Sequence, residues 1–89
     1  MINIYIHCEG SYDLYVSVFD LNTADSHKVL DQVRINADED TKISVAEDGD
    51  GNGKISWIAV RTDDNSITRS GVEEELSEGD IVDVTVFGA

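Results

Sequence analysis

The stretch Ile2-Asn3-Ile4-Tyr5-Ile6-His7-Cys8, followed by Leu14-Tyr15-Val16-Ser17-Val18, decides the fold. In both segments every second residue is apolar, the period of a strand with one face buried and the other in water. Glu9-Gly10-Ser11 lies between them, so the two read as a hairpin. Further along, Val33 and Ile35 alternate around Arg34, Asp38-Glu39-Asp40 intervenes, and Ile43 and Val45 alternate with Lys42 and Ser44, which reads as a second strand pair. Ile55-Ser56-Trp57-Ile58-Ala59-Val60 is apolar on both faces, the pattern of a central strand covered on two sides. A short segment around Ile67 and a last strand with Val82, Val84 and Val86 inward complete the set. Glycine-bearing or acidic turns at short intervals point to an all-β domain, a small antiparallel β-sandwich or barrel of six to seven strands.

One segment offers an alternative. Residues 22–33 carry N-cap candidates and apolar residues at Val29, Leu30 and Val33, which allows a short helix. A hairpin, a helix and further strands would resemble the ubiquitin-like β-grasp, an α+β layout, with Leu76-Ser77-Glu78-Gly79-Asp80 as that family's closing turn. Phe87-Gly88-Ala89 lacks the Gly-Gly tail that such modifiers use for adenylation, so even that layout does not imply conjugation.

Charge sets the class of partner. The chain has 89 residues with 19 Asp+Glu against 6 Lys+Arg, a net charge of −13. That length reads as a single domain, residues 1–89, able to bury about 60–65% of its unfolded surface in one small core. The negative excess repels phosphates and anionic headgroups, so direct nucleic-acid or membrane binding is not expected, while cations and basic protein surfaces remain. At 40% hydrophobic the chain is too apolar to stay unfolded. Cys8, the single cysteine, excludes an internal disulfide and fits a reducing compartment. The first residues lack a basic n-region, and no apolar run reaches about 18 residues, so the expected location is cytoplasmic, or secreted if a signal peptide has been removed.

Asp48-Gly49-Asp50-Gly51-Asn52-Gly53-Lys54-Ile55-Ser56 resembles the calcium loop of EF-hand proteins over those residues only. Asp48, Asp50 and Asn52 stand at the first, third and fifth positions, Gly53 allows the sharp turn, Lys54 offers its carbonyl and Ser56 the ninth position. The resemblance implies Ca²⁺ held by these oxygens. The twelfth position is Ala59 where the family has Glu, and the following residues alternate as a strand, so an ordinary EF-hand is excluded and a distant acid, Glu73, Glu74 or Asp25, would complete the shell. The same Asn52-Gly53 suits a tight turn between 43–45 and 55–57.

If successive strands reverse direction, the connections 20–26, 47–53 and 71–80 share one end of the sandwich. They hold Asp20, Asp25, Glu47, Asp48, Asp50, Glu73, Glu74, Glu75, Glu78 and Asp80. Carboxylates crowded within a Debye length of about 8–10 Å repel one another, and a bound cation or a basic partner relieves the repulsion.

Catalysis has little footing. His7 and Cys8 are adjacent on a strand and point to opposite faces, Asp25-Ser26-His27 lists triad residues consecutively where a triad is a spatial arrangement, and Gly49, Gly51 and Gly53 match no dinucleotide fingerprint. Among Tyr5, Tyr12, Tyr15, Phe19, Trp57 and Phe87, Trp57 belongs in the core. Tyr5, Tyr15 and Phe19 fall on the less apolar faces, where they would form an exposed strip for a protein partner or a sugar, or cover for a second layer of core; aromatic content of 7% favours sugars little. The expected function is therefore non-enzymatic: binding of a basic protein through Glu73, Glu74, Glu75, Glu78, Asp80 and Asp25, in the manner of a nucleic-acid-mimicking inhibitor. Short stand-alone inhibitors of phage or mobile-element type are similar in size and charge. The alternative is a calcium-binding β-sandwich built on residues 48–56.

Overall fold

Alternation along the chain becomes seven strands in the computed structural model, which describes residues 1–86: β1 (Ile2–Cys8), β2 (Leu14–Asp20), β3 (His27–Ile35), β4 (Asp40–Val45), β5 (Gly53–Arg61), β6 (Thr68–Leu76) and β7 (Ile81–Val84). Phe87-Gly88-Ala89, including the expected aromatic Phe87 and the tail, lie outside the described residues. Strands β4-β1-β7 form one sheet, with β1 and β7 parallel, and β3-β2-β5-β6 form the other. Ile2, Ile4, Ile6 and Cys8 from the first sheet meet Leu14, Val16, Val18, Ile55, Trp57 and Ala59 from the second in one buried cluster. Each buried Val or Ile contributes about 1.5–3 kcal/mol, so this shared interior holds the sheets face to face.

The all-β sandwich stands, but its pairings differ from the sequence reading. β1 and β2 are not a hairpin, since β1 pairs with β4 and β7 while β2 pairs with β3 and β5. Nor do β3 and β4 pair, nor β4 and β5, because β4 belongs to the opposite sheet. Alternation fixes which side chains point inward, and two strands facing each other across a core satisfy it as well as two side by side. Residues 22–33 form a turn and the start of β3, which removes the helix and with it the β-grasp alternative. The helix-like spacing has a specific cause. Val16 and Val18, two apart on β2, pair with Val33 and Leu30, three apart on β3, because an irregularity at residues 31–32, with Gln32 at φ 50°, inserts an extra residue. β5 is central, as read, but covered on one face only: Trp57 and Ala59 are buried while Ile58 is 43% exposed.

Two charged residues continue the inward alternation and close the core. Asp20 follows Val18 on the inner face of β2 and is 1% exposed; Arg61 follows Ala59 on β5 at the opposite end and is also buried. Asp20 accepts hydrogen bonds from the N–H of Ala46 (2.7 Å) and Asn22 (3.2 Å). Arg61 donates two bonds to Asp63 (2.8 and 2.6 Å), and its guanidinium lies 3.7 Å from the Tyr12 ring centroid. Trp57 lies across Gly71 of β6, where a Cβ would come within 2.8 Å of the indole, so β6 can approach β5 here only as glycine. Asp20→Ala leaves two backbone donors without their acceptor at the edge of the core, and thermal or urea unfolding should show a loss of about 1–3 kcal/mol with the fold retained.

Candidate functional site

Three connections meet at one end of the sandwich, as strand parity requires. Asn22 Nδ2 donates to the carbonyls of Ala46 and Asn52, Leu21 N–H to the carbonyl of Lys54, and Gly79 N–H to that of Asn3, which ties residues 20–23, 46–54 and 77–80 to the start of β1. The sequence over 20–26, 46–53 and 71–80 holds ten carboxylates and no Lys or Arg. Several of these acids build the turns that carry them. Asp48 Oδ1 accepts from the N–H groups of Asp50 (2.8 Å) and Asn52 (3.1 Å), Asp80 from Ser77 N–H (2.8 Å), and Glu78 from Asn3 N–H (3.1 Å). Such bonds favour the ionised carboxylate, and the Asn52 and Asp50 N–H groups hold Asp48 below the usual aspartate range. Glu47 takes the N-terminal ammonium at 3.1 Å.

The expected partner-binding residues share this end but not one loop. Glu73, Glu74 and Glu75 lie on β6 rather than in the connection; Glu74 pairs with Lys54 at 3.3 Å, and Glu75 adopts φ 56° where β6 breaks register with β5. Glu78 and Asp80 sit in the β6–β7 turn and Asp25 in the exposed β2–β3 turn. Of the calcium-loop residues, Asp48, Asp50 and Asn52 occupy a turn that closes on itself through Asp48 N–H to Asn52 O (2.8 Å). Lys54 and Ser56 are already on β5, and the Lys54 carbonyl accepts from Leu21. An extended strand advances about 3.3 Å per residue, so it carries Ser56 away from the turn, whereas an EF-hand loop curls back around the ion. Among the described residues no group of three or more His, Cys, Asp or Glu side chains is placed to hold a metal ion.

No protein-family model matches this chain, and neither a curated protein nor a solved structure matches it. No helix among the described residues is long and apolar enough to cross a membrane.

At the opposite end, His7 stands on the outer face of β1 between acids from every neighbour. Its Nδ1 bonds Asp40, its register partner on β4; Nε2 is 3.4 Å from Asp38 in the β3–β4 connection; Asp83 is its register partner on β7. The hydrogen bond to Asp40 raises the His7 pKa above its ordinary value against the opposing effect of burial, and the charges of Asp40, Asp83 and Asp38 add to the rise. Asp13 accepts from Ala37 N–H (2.8 Å) and Arg34 (2.7 Å), both of which lower its pKa. Cys8, on the other face of β1, is buried in the core, and that burial pushes its thiol pKa up.

The expected aromatic strip is divided. Tyr5 lies on the outer face of the β4-β1-β7 sheet, whereas Tyr15 and Phe19 lie on the outer face of the other, where they line an open groove of about 520 Å³ with Ile58 and Val60. The signal for it was the two-faced apolar pattern of residues 55–60, which read as a second buried layer.

Two measurements follow. Because the carboxylates are spread and the Asp48 oxygen is already bonded, CaCl₂ and MgCl₂ at equal concentration should raise the melting temperature equally, by screening alone; a calcium-specific rise in a melt against EDTA would contradict this. A folded-state pKa raised above the unfolded value of about 6.5 gives stability that is full below that pH and lost as pH rises through the folded value, so urea midpoints should fall as pH is raised above about 6.5, and His7→Gln should flatten the dependence.

Proposed function

We propose that this is a non-enzymatic domain that binds a basic protein surface through its acidic end, acting as a nucleic-acid-mimicking inhibitor of a nucleic-acid-binding protein. The carrying observation is that the carboxylates of Asp48, Glu78 and Asp80 are fixed by backbone N–H groups in turns that contain no Lys or Arg. Neutral donors hold the carboxylates in place without cancelling their charge. A partner therefore meets an ordered array of negative charge, and little side-chain entropy is lost on binding. Glu73, Glu74, Glu75 and Asp25 extend that array along β6 and the β2–β3 turn. The buried free thiol of Cys8 suits a reducing, cytoplasmic setting.

Capture of basic DNA- and RNA-binding proteins on the immobilised domain tests the reading. Affinity should fall steeply as salt rises, because screening shortens from about 10 Å at 0.1 M to about 3 Å at 1 M. Competing DNA should displace the partner, and the combined Glu73→Gln, Glu75→Gln and Glu78→Gln variant should weaken capture while melting normally. Capture indifferent to salt and to competing DNA would refute mimicry.

A further inference from the structure

We propose that two copies of this chain join edge to edge through β6, antiparallel about a two-fold axis at Gly71, so that one continuous sheet crosses the dimer. The two sheets leave four edge strands, β4, β7, β3 and β6. An exposed edge invites further pairing, and proteins blunt such edges by shortness, irregularity, lysine or cover. β7 is four residues long, β3 carries Lys28 and the irregularity at Gln32, and β4 carries Lys42 and packs beside β3. β6 has none of these. It runs nine residues, contains neither Lys nor Pro, and keeps an unbroken register with β5 from Thr68 to Glu73.

The groups this edge offers follow from the ladder. Leu21 N–H donates to the Lys54 carbonyl and Arg61 N–H to that of Ile67, so even-numbered residues of β5 bond β2 and odd-numbered ones bond β6. Arg69, Gly71 and Glu73 are the register partners of Ala59, Trp57 and Ile55, and they commit their backbone groups to β5. Thr68, Ser70 and Val72 therefore turn theirs outward, on the side where no strand follows. Val72 is 57% exposed.

Charge chooses the occupant. Arg69 and Glu73 stand on the Trp57 side of the strand with Gly71 between them, a spacing that an uncharged strand would leave unanswered. A second copy centred on Gly71 sets Arg69 opposite Glu73 of the other copy and Glu73 opposite its Arg69, while Ser70 exchanges backbone bonds with its Val72. The charged positions fall at non-hydrogen-bonded pairs, where Cα atoms approach to about 4.5 Å and side chains meet most closely. A slip of two residues either way leaves Glu73 or Arg69 opposite Gly71. Arg69 already has an interaction within its own chain, and its five N–H donors allow it to serve a second carboxylate. Gly71 puts no side chain at the axis. The antiparallel arrangement also lays each copy's Glu74 and Glu75 beside the Thr68 end of the other rather than beside its own like. The net charge of −13 opposes association, and in about 0.15 M salt screening confines that repulsion to about 8 Å.

Sedimentation equilibrium of the purified chain at rising concentration, up to about 1 mM in about 0.15 M NaCl, tests the proposal. The expected result is a monomer–dimer equilibrium that stops at the dimer. Arg69→Glu and Glu73→Arg, each placing like charges across the axis, should weaken it at least tenfold, and the two together should restore it, because the swapped pair is again complementary. Val72→Pro removes an outward N–H, a change that a free edge tolerates, and should abolish the dimer while the melting curve stays cooperative. A chain that remains monomeric throughout overturns the proposal, as does a double exchange that fails to restore association. Association that survives Val72→Pro but is lost in Tyr15→Ala would place the contact on the outer face and equally overturn it. Asp48, Glu78 and Asp80 lie outside the paired segment, so capture of a basic protein by the acidic end stands or falls separately.

Discussion

The arrangement of this sandwich depends on two aspartates that bracket one strand. Asp13 precedes β2 and Asp20 ends it, and each accepts a backbone N–H from a residue flanking β4: Asp13 from Ala37, Asp20 from Ala46. β4 leaves the sheet of β3, pairs with β1 in the other sheet, and returns to β5. Its two crossovers are the places where the chain abandons ladder pairing, so their N–H groups need acceptors from elsewhere. β2 supplies them at both ends, from a position fixed by pairing with β3 and β5. The carboxylates thereby couple the two sheets where the apolar interior ends.

The same chemistry recurs in the turns. Asp20, Asp48 and Asp64 each accept from the N–H two residues ahead, a turn device available to a short carboxylate side chain. Much of the negative charge is therefore bound up with how the chain turns between strands, and it is exposed at the ends because turns are. Closing a turn does not cancel the charge of these acids, since backbone donors leave the formal charge in place. The acidic end is built twice over: its carboxylates close the turns, and the closed turns hold the carboxylates in place at the surface.

The two outer faces differ in kind. That of β4-β1-β7 carries His7 among Asp38, Asp40 and Asp83, an electrostatic arrangement whose strength changes with pH. That of β3-β2-β5-β6 is apolar at its centre and balanced at its rim. Trp57, by contrast, is spent inside, across Gly71, where it fills the space between β5 and the edge strand β6. Its Nε1 is buried without a hydrogen-bond partner among the described residues, a cost accepted for that packing.

Alternation of Ile, Val and Leu at Ile2–Ile6, Leu14–Val18 and Val82–Val86 determined the strands and their inward faces, because a period of two is a local property of an extended chain. The sequence also carried, unread, the continuation of that period through Asp20 and Arg61, which marks both as core-closing charges. It determined which connections share an end, since that follows from counting reversals. What it left to the tertiary structure was pairing: an inward-facing strand is equally satisfied beside its neighbour or across from it, so β1 and β2 read as a hairpin and are not. Residues 22–33 misled for a related reason, because an extra residue in β3 gives apolar spacing of three, and only pairing with β2 shows it as an irregular strand. Whether the apolar outer face of β5 is covered likewise depends on how many layers the chain can build. Two sheets exhaust it, and Tyr15, Phe19, Ile58 and Val60 are left facing water around a groove.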